Sequence, residues 1–245
     1  MNSPVFWLLL ILLFGLLVFR RSKVVRGWVG EQKTSINLEI SLDSNTYKRF
    51  YNLIIPSKNG TAQIDHLIVS PYGLFIVETK NKTGWIFGSE NQKIWTQSIY
   101  GSNYTFQNPI KQTYRQKIVL SEFLSIAKSK IHVVIRFAGD CKFKTPMPRN
   151  VIRRNPSSYI NEYTERTLSD EDLKRVLLAI AQHVSSSHLT KRDHIKSLNE
   201  RHNSTTICPN CGSKLIVRTA RRGRNAGKQF LGCENYPKCR YAKDI

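Results

Sequence analysis

At 245 residues with 40% hydrophobic content, the chain has room for one medium domain with a buried core and for accessory segments. Its charge is the unusual property: 38 Lys and Arg against 17 Asp and Glu give a formal +21, a field that attracts nucleic acid or an anionic lipid surface without choosing between them. No internal repeat and no low-complexity tract is present, which excludes a solenoid and a composition-driven disordered chain.

Residues 1–19 carry no charged side chain, and Val5 to Phe19 is almost wholly apolar. Counted from Pro4, this run would make a helix about 24 Å long, at the short edge of a membrane span. A secretory signal would want a basic start and a small-residue cleavage site, and neither is visible. Arg20, Arg21, Lys23 and Arg26 follow at once, so the positive-inside rule places the remainder in the cytoplasm. We therefore expect a single-pass anchor with its basic flank over residues 1–23.

From Val24 the pattern predicts one helix or two short ones, interrupted by Gly27 and Gly30, with Glu31 read as an ordinary helix carboxylate. A strand is expected over Tyr51–Pro56, with a turn at Ser57-Lys58-Asn59-Gly60. The next stretch, Ala62 to Lys80, holds two apolar runs joined by Ser70-Pro71-Tyr72-Gly73, a sequence suited to a tight reversal. Centring the turn between Pro71 and Tyr72 pairs Val69 with Leu74, Leu67 with Ile76, and Asp65 with Glu78. Side chains alternate along a strand, so Glu78, Lys80 and Asp65 share one face. His66 points to the other face, among Ile64, Ile68, Phe75 and Val77. Directly opposed like charges are destabilising, and a divalent cation between Asp65 and Glu78, with Lys80 alongside, would remove the repulsion. Charged residues at strand ends also occur without a site, and an E-x-K triplet alone arises by chance.

Two short strands follow, Gly84–Gly88 and Lys93–Gln97. Asn108-Pro109 opens a helix from Ile110 to about Ala127, and Ile131–Ala138 is apolar on both faces, as in a central strand. Lys142, Lys144, Arg149, Arg153 and Arg154 lie in an irregular stretch that reads equally as a nucleic-acid-facing loop or a solvated surface. Ser169-x-x-Asp172 suggests a capping box before another helix. This main domain spans 24–184, and the polar stretch 185–206 reads as a linker with some helix. The spacings of His183, His188, His194 and His202 fit no common metal pattern.

Residues 207–245 form the last unit. Cys208-Pro-Asn-Cys211 and Cys233 to Cys239 present two thiol pairs about twenty residues apart, as a tetrahedral zinc site requires. The inferred cytoplasmic side disfavours the alternative of disulfides. Such a tail is too short to bury a core unaided, so structural Zn2+ would supply its folding energy. Around the pairs lie Arg218, Arg221, Arg222, Arg224, Lys228 and Arg240, with Phe230 and Tyr236 among them. Cations for phosphates and rings for bases suit single-stranded nucleic acid; a solvated basic face around a small core is the other reading. Cys141 is unpaired and reads as a small apolar residue.

Two resemblances follow from these residues. The stretch from CPNCG through GKQFLGC to YPKC resembles the four-cysteine zinc finger at the C-terminus of type IA DNA topoisomerases. It implies zinc and DNA binding, preferably single-stranded, and no topoisomerase activity, since the chain cannot hold that enzyme's catalytic body. Residues 26–140 resemble the nuclease-related domain (NERD) family, an α/β fold with a restriction-endonuclease-like PD-(D/E)xK core. The residues carrying this are Gly30-Glu31, the IDHLIVSPYGLFIVETKN hairpin and Asn108-Pro109-x-x-Gln112. The resemblance implies that Asp65 and Glu78 bind Mg2+ or Mn2+ and that Lys80 orients or activates the attacking water. It further implies that Glu31 assists the metal and that Gln112 supports the site. These residues allow a catalytic nuclease, a non-catalytic DNA tether at the membrane, and a third reading in which the basic surface binds lipid and the zinc ribbon is a protein-interaction module.

Overall fold

The computed structural model describes residues 23–223 and 225–245. The expected anchor over residues 1–23 therefore lies outside the described residues except for Lys23. Among the described residues no helix is long and apolar enough to cross a membrane.

The centre of the molecule is a five-stranded sheet in the order β1-β2-β3-β7-β9. Its first three strands, β1 (Lys48–Ser57), β2 (Gly60–Ser70) and β3 (Gly73–Lys80), form an antiparallel meander. β7 (Ile131–Phe137) then runs parallel to β3, and β9 (Val151–Ile152) runs parallel to β7. A parallel neighbour needs a crossover, which helix α2 (Pro109–Leu124) supplies. β3 is buried on both faces from Gly73 to Thr79, as a central strand between helical layers must be.

One face of the sheet packs Leu67, Val69, Leu74 and Ile76 against Val119, Leu120 and Leu124 of α2 and against Val176 and Ile180 of helix α4 (Asp170–Ser186). The other face packs Ile68, Phe75 and Val77 against Leu38 of helix α1 (Lys23–Ser41), Leu42 just past its end, and Ile160 of α3 (Pro156–Ile160). α1 is one continuous helix, and its buried stripe is Gly30, Thr34 and Leu38, one residue per turn, continued by Leu42 just past its end. Gly30 is required there: a Cβ would stand 2.7 Å from Asn81 Cβ.

A second sheet, in the order β6-β5-β4-β8, comprises β4 (Gly84–Phe87), β5 (Ile94–Ile99), β6 (Ser102–Gln107) and β8 (Cys141–Phe143). Strand β6 is exposed and polar along most of its length, so no hydrophobic alternation announces it. Trp95 is the centre of this layer, stacked on Phe137 at 6.1 Å and fully buried. α2 starts where expected: Asn108 caps it by accepting from the Ile110 N–H and donates Nδ2 to the carbonyls of Ser89, Glu90 and Gln92. It stops at Leu124, before the expected Ala127, because Ser125 takes the left-handed conformation of a helix cap.

Three sequence expectations are corrected. Ile64 packs with Leu53, Ile55 and Leu67 rather than on the His66 face. The alternation slips there opposite Asn52, which sits at φ 51 in the left-handed region inside β1. Ser169 caps α4 through the Asp172 N–H, but the Asp172 carboxylate turns to Lys130 and Arg175. The complete capping box is instead Thr190 with Asp193, opening helix α5 (Lys191–Asn203) inside the stretch read as a linker. α5 docks on β2 through buried polar contacts: Ser197 Oγ accepts from the Thr61 N–H at 2.9 Å, and His194 Nδ1 lies 2.9 Å from Thr61 Oγ1. The basic stretch after β8 is largely spoken for. Arg149 and Arg154 both pair with Glu162, and Lys144 sits over the Trp85 ring at 4.3 Å.

Phe75, fully buried and stacked on His132 at 5.1 Å, tests the central sheet. Phe75→Ala is expected to destabilise the domain by about 3–5 kcal/mol in denaturant titration. A change under about 1 kcal/mol would mean that the α1 face is not a packed core.

Candidate functional site

The pairs Ser70–Gly73 through His66–Val77 reproduce the hairpin register read from the sequence; the pairing ends there, one residue short of Asp65 and Glu78, so the expected Asp65–Glu78 pair is not formed as a ladder step. Glu78 is 2% exposed at the end of β3. A buried carboxylate needs donors, and it has three. Lys80 Nζ donates to Oε1 at 2.6 Å, Gln112 Nε2 to the same oxygen at 2.9 Å, and Gln116 Nε2 to Oε2 at 3.0 Å. Lys80 Nζ also donates to Gln112 Oε1 at 2.9 Å, closing a ring of three side chains. Gln112 and Gln116 are one turn apart on α2, so the helix presents both amides to one strand end. Gln116 was not among the residues singled out from the sequence; its i+4 spacing from Gln112 is the signal that could have found it.

Asp65 is half-buried beside this ring and accepts a hydrogen bond from the Thr79 N–H. Burial, followed by the charges of Glu78 and Glu31, pushes its carboxyl well above the usual carboxylate range. Glu31 is also raised, by burial first, with Lys191 pulling it down and Glu78 pushing it up. Burial works against the Lys80 ammonium, but Glu78, then Asp65 and Glu31, outweigh it, and its pKa is raised. Glu31, Asp65, Glu78, Lys80 and Gln112 thus form one electrostatic cluster, drawn from α1, β2, β3 and α2. His66 stays outside it: its ring is buried against α1, with Nε2 3.1 Å from Ser35 Oγ and 3.3 Å from the Glu31 carbonyl.

The donor set suits a hard cation. Glu78 and Glu31 raise the proton affinity of Asp65, and Glu78 raises that of Glu31; an ion among the carboxylates would relieve that repulsion. Gln116 Oε1 is buried without a partner beside Glu78, an acceptor that a cation's water can fill. The carboxylates are nevertheless not drawn tightly to a point. Among the described residues only Cys208, Cys211, Cys233 and Cys239 bring three or more ligand atoms within 4.8 Å of one another.

Those cysteines belong to the C-terminal antiparallel sheet of β10 (Leu215–Thr219), β11 (Gln229–Cys233) and β12 (Ala242–Asp244): Cys208 and Cys211 precede it, Cys233 ends β11, and Cys239 lies in the loop between β11 and β12. All four are buried and free, with Sγ separations of 3.7 Å for Cys208–Cys239 and 3.4 Å for Cys211–Cys233. Four thiolates at about 2.3 Å around a tetrahedral Zn2+ stand about 3.8 Å apart, so the set fits zinc and is too wide for disulfides. The cluster rests on Ile118 of α2, with Leu215, Leu231 and Tyr241 around it.

The expected nucleic-acid residues divide. Arg221, Arg222, Lys228, Tyr236 and Arg240 are exposed, and Arg224 lies outside the described residues. Phe230 is half-buried in β11. Arg218 is committed to the finger itself: Nη2 donates to the Cys233 carbonyl at 3.3 Å, and its aliphatic stem passes so close to Gly232 that a Cβ there would stand 2.7 Å from Arg218 Cδ.

Comparisons with known proteins agree with these two units. Residues 26–138 match the nuclease-related domain, and residues 205–245 match the topoisomerase DNA binding C4 zinc finger. The chain is 29% identical over 187 residues to an uncharacterized protein of Bacillus anthracis, a match covering 73% of this chain and 88% of that protein. Short matches join the finger to DNA topoisomerase 1 of Archaeoglobus fulgidus, 50% identical over 34 residues, and of Methanocaldococcus jannaschii, 49% over 39 residues. These cover 14% and 16% of this chain and 4% of each topoisomerase. No solved structure matches the chain.

Two predictions follow from the geometry. The raised carboxyl of Asp65 means that its charge costs stability above its folded pKa and costs nothing once pH falls below the unfolded value. In EDTA, Asp65→Asn is expected to raise the melting temperature at neutral pH by about 2–4 °C, with the gain fading as pH falls from the raised folded pKa and gone below the unfolded value. A gain independent of pH would contradict the assignment. Stripping the zinc is expected to abolish hydrogen-exchange protection in β10–β12 while β2, β3 and β7 stay protected; equal loss in both sheets would show that they fold as one unit.

Proposed function

We propose that this chain, which carries a nuclease-related domain and a topoisomerase-type C4 zinc finger, is a DNA-binding protein that hydrolyses phosphodiester bonds at the Glu78 cluster with Mg2+ or Mn2+. The observation that carries this reading is the convergence of Asp65, Glu78 and Lys80 at one strand end, with Glu31 and Gln112 beside them, as in a PD-(D/E)xK core. A divalent cation held by Asp65 and Glu78 would supply Lewis acidity toward water and phosphate.

The remaining steps belong to the chain's own groups. Gln112 and Gln116 hold the Glu78 carboxylate in place, each from a helix position fixed by the Asn108 cap. The raised pKa of Lys80 keeps it an ammonium, which suits it to meet charge developing on a phosphate oxygen or to orient a water, and unsuits it as a general base. Glu31 faces the same cluster from α1 and would accept from an attacking water or complete the cation's ligands. The exposed cations of the finger, Arg221, Arg222, Lys228 and Arg240, would bind backbone phosphates, with Tyr236 and Phe230 offering rings to bases. The apolar residues 1–19 would anchor this assembly on the cytoplasmic side of a membrane.

A second reading has its own support. All three donors to Glu78 are already in place, and the three carboxylates are not gathered at one point, as a domain that binds DNA without cutting it would allow.

The test is incubation of the full zinc-loaded chain with single- and double-stranded DNA in Mg2+, Mn2+ or EDTA. Asp65→Ala and Glu78→Ala are each expected to reduce metal-dependent cutting by at least about 100-fold while DNA affinity stays within about twofold. Salt-sensitive binding with no product under any metal would establish the tether instead. Equal loss of cutting and binding in folded variants would remove the cluster from the chemistry.

A further inference from the structure

Two arginines are buried where α2, α5 and the zinc finger meet, and neither forms an ion pair among the described residues. Arg115 of α2 is 8% exposed and Arg201 of α5 is 5% exposed. Arg201 Nη1 donates to the Thr61 carbonyl at 2.8 Å, and Arg115 Nη2 reaches Ser57 Oγ at 3.3 Å and the Asn59 carbonyl at 3.4 Å. Those neutral acceptors satisfy hydrogen bonds without balancing charge, and Arg115 Nε has no partner at all. Burying an uncompensated cation is costly, and each arginine makes the other worse. Burial, then the charge of Arg115, lowers the Arg201 pKa to about 10. Burial also lowers Arg115, with Cys211, Cys208 and then Glu122 working the other way; among the described residues no acidic group does so for Arg201.

Both arginines line one cleft of about 170 Å³, together with Lys111, His194, Gln112 and Gln116, and Arg115 also borders a separate hollow at Ser57 and Asn59. The last two are the amides that hold Glu78, so this cleft and the candidate catalytic cluster share a wall. At Lys111, His202 and Asn210 the cleft opens into a groove between the second sheet and the finger, passing Phe106, Lys93 and Tyr241. Lys93 and Tyr241 also border a third hollow that reaches Lys228 and Phe230 on the finger. Basic residues and rings thus alternate from the finger to the Glu78 cluster.

We infer that Arg115 and Arg201 form a phosphate-binding subsite, and that the phosphate they take belongs to the backbone of a single nucleic-acid strand lying in this groove. Paired guanidinium forks match the oxygens of a phosphate, which would supply the missing counter-charge. Lys111 stands at the rim, and Tyr241 and Phe230 offer ring surface to the bases beyond it, with Lys93 over one side of Tyr241 at 5.4 Å and Lys82 over Phe106 at 4.6 Å. Contacts of Ser197, His194 and Arg201 with Thr61 hold α5 rigidly, so the Arg201 fork is positioned before any ligand arrives. The subsite stands on the buried charges alone; the strand as the source of the phosphate rests on the proposed function.

The test uses the full zinc-loaded chain without Mg2+ or Mn2+, so that it reads binding whether or not the protein cuts. Inorganic phosphate is titrated against chloride at constant ionic strength, by calorimetry and thermal shift. The wild type is expected to bind, and Arg115→Gln and Arg201→Gln to bind at least about tenfold more weakly. In the second arm, Arg201→Gln is expected to reduce the salt slope of single-stranded DNA affinity by about 0.7. A wild type that binds no phosphate, or arginine variants that bind it equally well, would overturn the subsite. Phosphate binding lost in the variants with an unchanged salt slope would keep the subsite and overturn the strand, leaving a free phosphate monoester as its ligand. If the Gln variants do not fold, Lys111→Glu at the half-exposed rim carries the test. Weakening of about tenfold would support the subsite and an unchanged affinity would overturn it.

Discussion

The Glu78 carboxylate is a charge placed where charge is costly, at the end of the most buried strand of the sheet. Its three donors come from its own strand and from two successive turns of α2, so its survival there constrains the phase of that helix and the point at which it starts. Asn108 sets the start, by capping the helix and tying down the loop that precedes β5. The parallel pairing of β3 with β7 then fixes where α2 must cross the sheet. A catalytic reading and a purely structural one both need this arrangement, since a buried carboxylate without donors would destabilise the whole domain.

The net charge of +21 is not spread as a uniform coat. Some of it is internal and answered, as at Lys80. Some is paired on the surface, as where Arg149 and Arg154 meet Glu162. Among the described residues, Arg221, Arg222, Lys228 and Arg240 of the finger and the buried Arg115 and Arg201 in the seam with α5 form no ion pair. A polyanion would therefore find a line of sites with the deepest charges nearest the carboxylates. Attraction and repulsion lie next to each other there, which favours a substrate held by its flanking phosphates while one bond is presented to the cluster.

The local features of this layout were readable in the sequence because local chemistry dictates them. Pro71 and Gly73 allow one tight reversal, and strand alternation then sets Leu67 against Ile76 without knowledge of the rest of the fold. The cysteine spacing is similarly self-contained. Features that depend on distant packing were not readable. α5 is polar along its length and is held by buried hydroxyl and imidazole contacts to Thr61, so its sequence resembles that of a linker. Gln116 has a role only because of where Glu78 lies, and Arg201 only because of Arg115. Arg218 looks like its exposed basic neighbours until Gly232 is seen to leave room for its stem.

The crossover through α2 also has a temporal consequence. As the chain leaves the ribosome, β2 and β3 can pair first, with Asp65 and Glu78 brought near each other just past the last pair and Lys80 alone to offset them. A hairpin is marginal by itself, and this one carries a like-charge pair at its open end. The amides that relieve it are made only after β4, β5 and β6, and the parallel partner β7 comes later still. The nascent protein thus passes through an interval in which the turn is formed and the carboxylate end is not. The site closes late, on arrival of the helix, and a chain interrupted before α2 would keep the reversal at Pro71 but not the pocket around Glu78.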